Sequence, residues 1–199
     1  NILLTLSGYK FYTKLLAHKP DISTTLKYYP FISIMVPAHN EEKVIVRTVK
    51  SLLSLNYPED KMELIVINDN SSDNTKILLE EIKKEFPTKN FKIINTNKEN
   101  GGKGKSNALN IGFENSIGDF IAVYDADNTP EKSALKYLIN RIINDDSLGA
   151  VIGKFRTRNK DRNMLTKFIN IETLSFQWMA QAGRWQLFKL CTIPGTNFI

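Results

Sequence analysis

Cysteine is almost missing. Cys191 is the only one, so no intramolecular disulfide can form, and a reducing, cytosol-facing location is expected. Long apolar runs are missing too: nothing approaches the roughly 18 to 20 residues that span a bilayer. Residues 1–16 lack a charged stretch followed by an apolar core, so they do not read as a secretory signal. The chain begins at Asn1 rather than Met, which suggests a trimmed fragment. No Gly-x-Gly-x-x-Gly follows the first apolar run, which argues against a dinucleotide dehydrogenase. There is no internal repeat and no low-complexity segment.

What is there is ordinary globular material: 199 residues, 42% hydrophobic and 24% charged, enough for one sizeable core. The net charge of +6 is unevenly spread. From residue 151 onward Lys154, Arg156, Arg158, Lys160, Arg162, Lys167, Arg184 and Lys189 face only Asp161 and Glu172. Such a half suits a diphosphate, an anionic membrane surface or nucleic acid, or is simply a solvated basic face.

Apolar strands alternate with amphipathic helices. Strands are expected at 31–36 (stopped by Pro37), 64–67, 91–94, 120–124 and 150–155. Helices are expected at 41–55 with Asn40 as N-cap, from Ser72 or Asp73 to Phe86, at 105–117 closed by Gly118, and at 130–144. This alternation predicts an α/β fold, a Rossmann-like, mostly parallel sheet with helices on both faces. Residues 161–190, with Phe168, Phe176, Trp178, Trp185 and Phe188, read as helices packing against the sheet in preference to a membrane-facing surface. Residues 1–17 repeat the pattern with Leu3, Leu6, Tyr9, Tyr12 and Leu16.

In parallel sheets ligands sit beyond the carboxyl ends of the strands. Four polar clusters fall there. Pro37-Ala38-His39-Asn40-Glu41-Glu42 follows the first strand, and Asn68 through Asp73 the second. Asn100-Gly101-Gly102-Lys103-Gly104-Lys105-Ser106 follows the third, and Asp125-Ala126-Asp127-Asn128 the fourth. Asp125 and Asp127 can share one Mg²⁺ or Mn²⁺ with phosphate oxygens, because hard cations take oxygen ligands; the alternative is that Asp127 or Asn128 caps the next helix. Asp69 is placed to accept from a ribose or a base, or else forms an Asx-turn. His39 stacks on a base or caps a helix. The glycine stretch is no P-loop, since the first required glycine falls at Glu99. Its lysine at a helix N-terminus still suits a phosphate.

In this order the clusters resemble glycosyltransferase family 2, whose members have the GT-A fold. The matching pieces are Val36–Glu42, Ile67–Thr75, Gly104–Asn110, Asp125-Ala126-Asp127 and Gly195-Thr196-Asn197. The segment from Gly153 through Gln181-Ala182-Gly183-Arg184 to Asn197 is most similar to the membrane-bound, often processive branch of cellulose, hyaluronan and poly-N-acetylglucosamine synthases. The resemblance implies an inverting, metal-dependent transfer from a UDP-sugar to a saccharide or lipid acceptor. It places Pro37, Ala38, His39, Glu41 and Asp69 around the uridine and Lys105 near the diphosphate. Asp125, with Ala126 beside it, would contact the donor, and Asp127 would be the more direct metal ligand. Gly195, Thr196 and Asn197 would line the donor–acceptor region.

Members of this branch carry their general base in an acidic motif after the Gly-Thr-Asn segment. The base is therefore expected beyond Ile199, no catalytic residue is named, and the fragment alone is expected to be inactive. Gln181-Ala182-Gly183-Arg184-Trp185 matches the branch's Gln-x-x-Arg-Trp motif but precedes Gly195, and reads as a coincidence. Residues 1–30 are expected to be a juxtamembrane segment and 31–199 the GT-A domain. The protein would be membrane-associated through segments outside this chain, with the domain on the cytoplasmic side and no nucleic-acid partner. The alternatives are a nucleotidyltransferase-like enzyme and a non-catalytic basic binding module.

Overall fold

A computed structural model describes residues 2–17, 26–193 and 195–199. Within the expected N-terminal segment 1–30, residues 1 and 18–25 lie outside the described residues, as does Pro194. In chain order the elements are α1 (Ile2–Ala17), β1 (Ile32–Ala38), α2 (Ile45–Leu53), β2 (Met62–Asn68), α3 (Thr75–Glu85), β3 (Phe91–Asn95), α4 (Lys105–Glu114) and β4 (Phe120–Val123). Then follow α5 (Ala134–Ile142), α6 (Met164–Ser175), a π-helical segment Phe176–Gln181, and α7 (Ala182–Phe188). They form two compact units. Thr24–Ile152 with Gly195–Ile199 is an α/β unit, and Asn1–Ser23 with Gly153–Pro194 is a helical one.

The α/β unit has a four-stranded sheet in the order β3-β2-β1-β4, parallel throughout. Strand side chains alternate between two faces. Ile32, Ile34, Val36, Leu64 and Val66 join the larger core with α2, α3 and α5. Met35, Ile65 and Ile67 join Ala108 of α4 on the other face. Gly112 lets α4 lie close, since a Cβ there would meet Ile67 Cδ1 at 2.8 Å. The expected fold class is borne out: a parallel sheet with helices on both faces.

Several expected boundaries are corrected, and the reasons are specific hydrogen bonds. Pro37 does not stop β1, which runs to Ala38. Met35 O accepts from Tyr124 N and Ala38 O from Asp69 N, so Pro37 faces the β4 side, where β4 has ended and no N–H is needed. Asn40 does not cap α2. It takes a left-handed φ of 56°, and its side-chain oxygen accepts from Ser72 N and Asp73 N instead. The carbonyls of Pro130 and Lys132 accept from Ser51 Oγ and Asn56 N, so α5 begins only at Ala134. The amides of Ile117 and Gly118 donate to Glu63 and Ser33, so α4 stops at Glu114.

The expected fifth strand at 150–155 is not formed. Val151 exchanges backbone hydrogen bonds with Ile199, and Ile152 bridges Phe198 antiparallel. Phe155 N and O are taken by the Gln177 side-chain amide.

In the helical unit α1 crosses α7 closely at Gly183, where a Cβ would lie 2.3 Å from Leu4 O. Of the aromatic residues in this stretch, Trp185 is half-buried. Phe168, Phe176 and Phe188 are exposed, and the side chain of Trp178 lies outside the described residues. No described helix is long and apolar enough to cross a membrane.

Candidate functional site

The sheet order reverses between β1 and β4, because β1, β2 and β3 step one way and β4 lies on β1's other side. Loops leaving such neighbours diverge and open a crevice. A cavity of about 420 Å³ sits there, lined by Pro37, Ala38, His39, Glu41, Asp69, Lys105, Asp125, Ala126 and Asp127. Every residue read from the sequence as nucleotide-sugar-binding thus meets in one place. Gly102 and Gly104 of the glycine stretch also line it, as does Ala108, which had been given no role of its own. Ala108 stands three residues after Lys105 on α4, a spacing that puts both on one helix face.

The first loop is pinned to the second. Asn40 N and Glu42 N donate to Ser71 Oγ and Asp73, and Glu41 N donates to Thr75 Oγ1 at 2.8 Å. His39 Nδ1 lies 2.6 Å from Asp69 O. A carbonyl only accepts, so Nδ1 carries the proton, and Nε2 is left to accept from Asn40 Nδ2 at 3.3 Å. The ring is exposed at the cavity but fixed in orientation.

Asp69 is buried and organises the glycine loop. One carboxylate oxygen accepts from Gly102 N at 2.8 Å and from Thr96 Oγ1 at 2.9 Å. Gly104 takes a φ of 92°, a backbone that L side chains avoid, and turns the chain into α4. Lys105 is the first residue of that helix and pairs with Asp125. Both side chains are about 40% exposed. Such a pair contributes less than about 1 kcal/mol, so turning Lys105 toward an incoming anion costs little.

Segment 195–199 lies along β4. Thr196 Oγ1 accepts from Asp125 N at 2.8 Å and from Asn128 Nδ2 at 2.6 Å. Asn197 N donates to Val123 O. A Cβ on Gly195 would stand 3.8 Å from Lys105 Nζ. The Gly-Thr-Asn segment is therefore at the crevice, with Thr196 fixing the main chain of Asp125.

The crevice concentrates negative charge. Burial, then Asp127, Asp73 and Asp125, push the Glu41 carboxyl above its ordinary value, while His39 opposes them. Asp127 is exposed and Asp125 half-exposed. Among the described residues no three His, Cys, Asp or Glu side chains converge as a ready metal site. Two carboxylates that need further oxygen ligands fit a hard cation brought together with a diphosphate.

The model of the family described as Glycosyl transferase family 2 matches residues 33–199. The chain belongs to this family. It is 50% identical over 198 residues to the probable glycosyltransferase YdaM of Bacillus subtilis (strain 168), covering 100% of this chain and 47% of that protein. It is 38% identical over 144 residues to the poly-beta-1,6-N-acetyl-D-glucosamine synthase of Staphylococcus epidermidis, covering 72% of this chain and 33% of that one. The chain thus spans about half the length of the first relative and a third of the second. Among solved structures, S. aureus TarS in complex with UDP-GlcNAc aligns with a TM-score of 0.54 at 26% identity, over 63% of this chain and 34% of that one. The mannosyltransferase PcManGT of Pyrobaculum calidifontis, solved with GDP-Man and Mn²⁺, aligns with a TM-score of 0.65 over 79% of this chain and 44% of that one. At 23% identity it bears on the fold alone, and that fold is GT-A.

Proposed function

We propose that this chain is the donor-binding part of an inverting, metal-dependent glycosyltransferase of the hexosyltransferase class. It would move a sugar from a UDP-sugar to a saccharide or lipid acceptor in polysaccharide synthesis. One observation carries the reading: Pro37, His39, Glu41, Asp69, Lys105, Asp125 and Asp127 line a single crevice at the switch point of the sheet. The poly-N-acetylglucosamine synthases among its relatives and the UDP-GlcNAc complex of TarS support the choice of donor.

In this reading the Pro37–Glu41 loop and Asp69 hold the uridine, with the His39 ring against the base. Lys105 leaves Asp125 for the diphosphate at the N-terminus of α4, where helix polarity also favours an anion. Asp127 and Asp125 are the protein ligands of Mg²⁺ or Mn²⁺. When bound, that ion would neutralise charge on the departing UDP. Thr196 keeps the Asp125 main chain in place, and Gly195 and Asn197 border the donor–acceptor region. Deprotonating the acceptor hydroxyl needs a general base, and none of these residues is assigned that part. Residues 31–199 form the transferase domain and 1–30 a flanking segment, held on the cytoplasmic side of a membrane through further segments, with no nucleic-acid partner.

The test is isothermal calorimetry of UDP with and without Mn²⁺. Saturable, Mn²⁺-dependent binding is expected, and Asp127→Ala should weaken the Mn²⁺-dependent component by about a hundredfold, some 2.7 kcal/mol. An absence of UDP affinity with Mn²⁺ present would overturn the reading. Unchanged affinity in the variant would remove Asp127 from its role.

A further inference from the structure

Asp125, Ala126, Asp127 and Asn128 form a turn with both ends tied to one atom. Thr196 Oγ1 accepts from Asp125 N at 2.8 Å, where the turn begins, and from Asn128 Nδ2 at 2.6 Å, where it ends. Asn128 N donates across the turn to Asp125 O at 3.1 Å. Ala126, between the two carboxylates, is buried in the larger core. The main chain that carries Asp125 and Asp127 is thus fixed at its start, middle and end, and the carboxylates take no part in those ties.

Asn128 is available for this because it does not cap the next helix. Helix α5 starts at Ala134 with Ser133 at its N-cap, so the capping alternative for Asp127 or Asn128 is not realised. Thr196 is itself held from both sides. Asn197 N donates to Val123 O at 2.7 Å and Val123 N to Phe198 O at 3.0 Å, while Ile199 and Val151 exchange bonds of 2.8 and 2.9 Å. A hydroxyl that accepts from two N–H groups has both lone pairs filled. Its place is then set by the end of β4, and the turn takes its shape from it. That shape matters for a hard cation, since Mg²⁺ and its like tolerate little departure from ideal ligand geometry. Groups that only orient metal ligands typically cost about ten- to a hundredfold in metal affinity when removed.

We propose that Asn128 and Thr196 are positioning residues for the metal: together they hold the Asp125–Asp127 turn in the shape in which its two carboxylates meet one divalent cation. The inference rests on the sugar-transfer reading for its ligand, UDP with Mn²⁺.

The test is the Mn²⁺ affinity of the chain with UDP present, read from the electron paramagnetic resonance signal of free Mn²⁺, beside calorimetry of UDP without metal. Asn128→Ala and Thr196→Val should each weaken Mn²⁺ binding about tenfold and leave metal-free UDP affinity within about twofold. Both remove bonds to the same oxygen, so the double variant should lose little more than either alone. Thr196→Ser keeps the hydroxyl and should bind Mn²⁺ within about threefold of the parent. A packing role would follow the threonine methyl instead, sparing valine and penalising serine. Thermal melting by circular dichroism checks that each variant folds; should Thr196→Val unfold, Asn128→Ala decides. Parent-like Mn²⁺ affinity in the folded variants, additive losses, or equal loss of metal-free UDP affinity overturns the proposal while the parent's own binding keeps the donor reading. A parent that takes up no Mn²⁺ with UDP overturns both.

Discussion

In the α/β unit Ile32, Ile34, Val36, Leu64 and Ile65 are sealed from solvent, whereas in the helical unit Phe168, Ile171 and Phe188 stand in it. The charges divide along the same line. The helical unit's residues carry eleven basic groups against three acids, and the remainder of the chain sixteen against eighteen. In the first region apolar area is used up internally, and what faces outward at the strand ends is a set of carboxylates, one lysine and a glycine loop. In the second, apolar area is held in reserve on a basic surface. One region gathers its polar groups around a fixed crevice, and the other leaves large apolar side chains exposed among basic ones.

The contrast is tested hardest inside the sheet. Glu63 is fully buried on β2, accepting from Ser33 Oγ at 2.5 Å and Ile117 N at 2.9 Å and pairing with Lys92 at 2.6 Å. Burial raises its pKa, but Lys92, Ser33 and Ile117 together hold the carboxyl below its ordinary value. Glu63→Ala leaves the Ser33 hydroxyl hydrogen and the Ile117 amide without their acceptor and should cost about 3 to 4 kcal/mol in urea unfolding. Because the folded pKa is depressed, Glu63 contributes stability above its ordinary value of 4.5 and loses it as pH falls below that through the lower folded value. Stability of the parent should therefore drop more steeply on acidification than that of Glu63→Gln. Equal slopes would remove Glu63 from acid sensitivity. Leu64→Ala, next along the strand, should cost about 3 kcal/mol by transfer and cavity terms.

How much of this was readable from the chain follows the same physics. β1 to β4 announced themselves because buried parallel strands are near-continuous apolar runs. Most crevice residues announced themselves because they sit at or just after the end of one of those runs, and Lys105 because it closes the glycine stretch that opens α4. Element ends were misplaced where a backbone group is claimed by a side chain distant in sequence: Ser51 on Pro130, Glu63 on Ile117, Gln177 on Phe155. No local period encodes such a partner. The Lys105–Asp125 pair and the Asp69–Gly102 clamp stayed invisible for a related reason. They depend on the order β3-β2-β1-β4, and alternation alone does not specify order. The exposure of Phe168, Ile171 and Leu174 on α6 could not be read from the chain, because a helix face rich in Phe, Ile and Leu looks the same in sequence whether or not a core covers it.

A mid-sized effect is expected at the glycine loop, where the crevice depends on close packing. A Cβ on Gly101 would lie 1.9 Å from Thr96 Oγ1 and 2.6 Å from Asp69 Oδ1. Gly101→Ala must therefore displace the side chains that hold Gly102, at a cost of about 1 to 3 kcal/mol. Amide exchange at Gly102 should speed up with it. Unaltered exchange at that amide would mean that Asp69 does not organise the loop.

The smallest expected effect is the one that separates the two regions most directly. Phe168 is larger than Leu64, and by size alone its truncation should cost more. Phe168 has already left its area in water in the folded chain, so Phe168→Ala removes no burial and opens no cavity. Urea unfolding should shift by no more than about 0.5 kcal/mol. A loss above about 2 kcal/mol would show that α6 packs its apolar face inward in solution. The two units would then treat their hydrophobic side chains alike, and the contrast between them would fall.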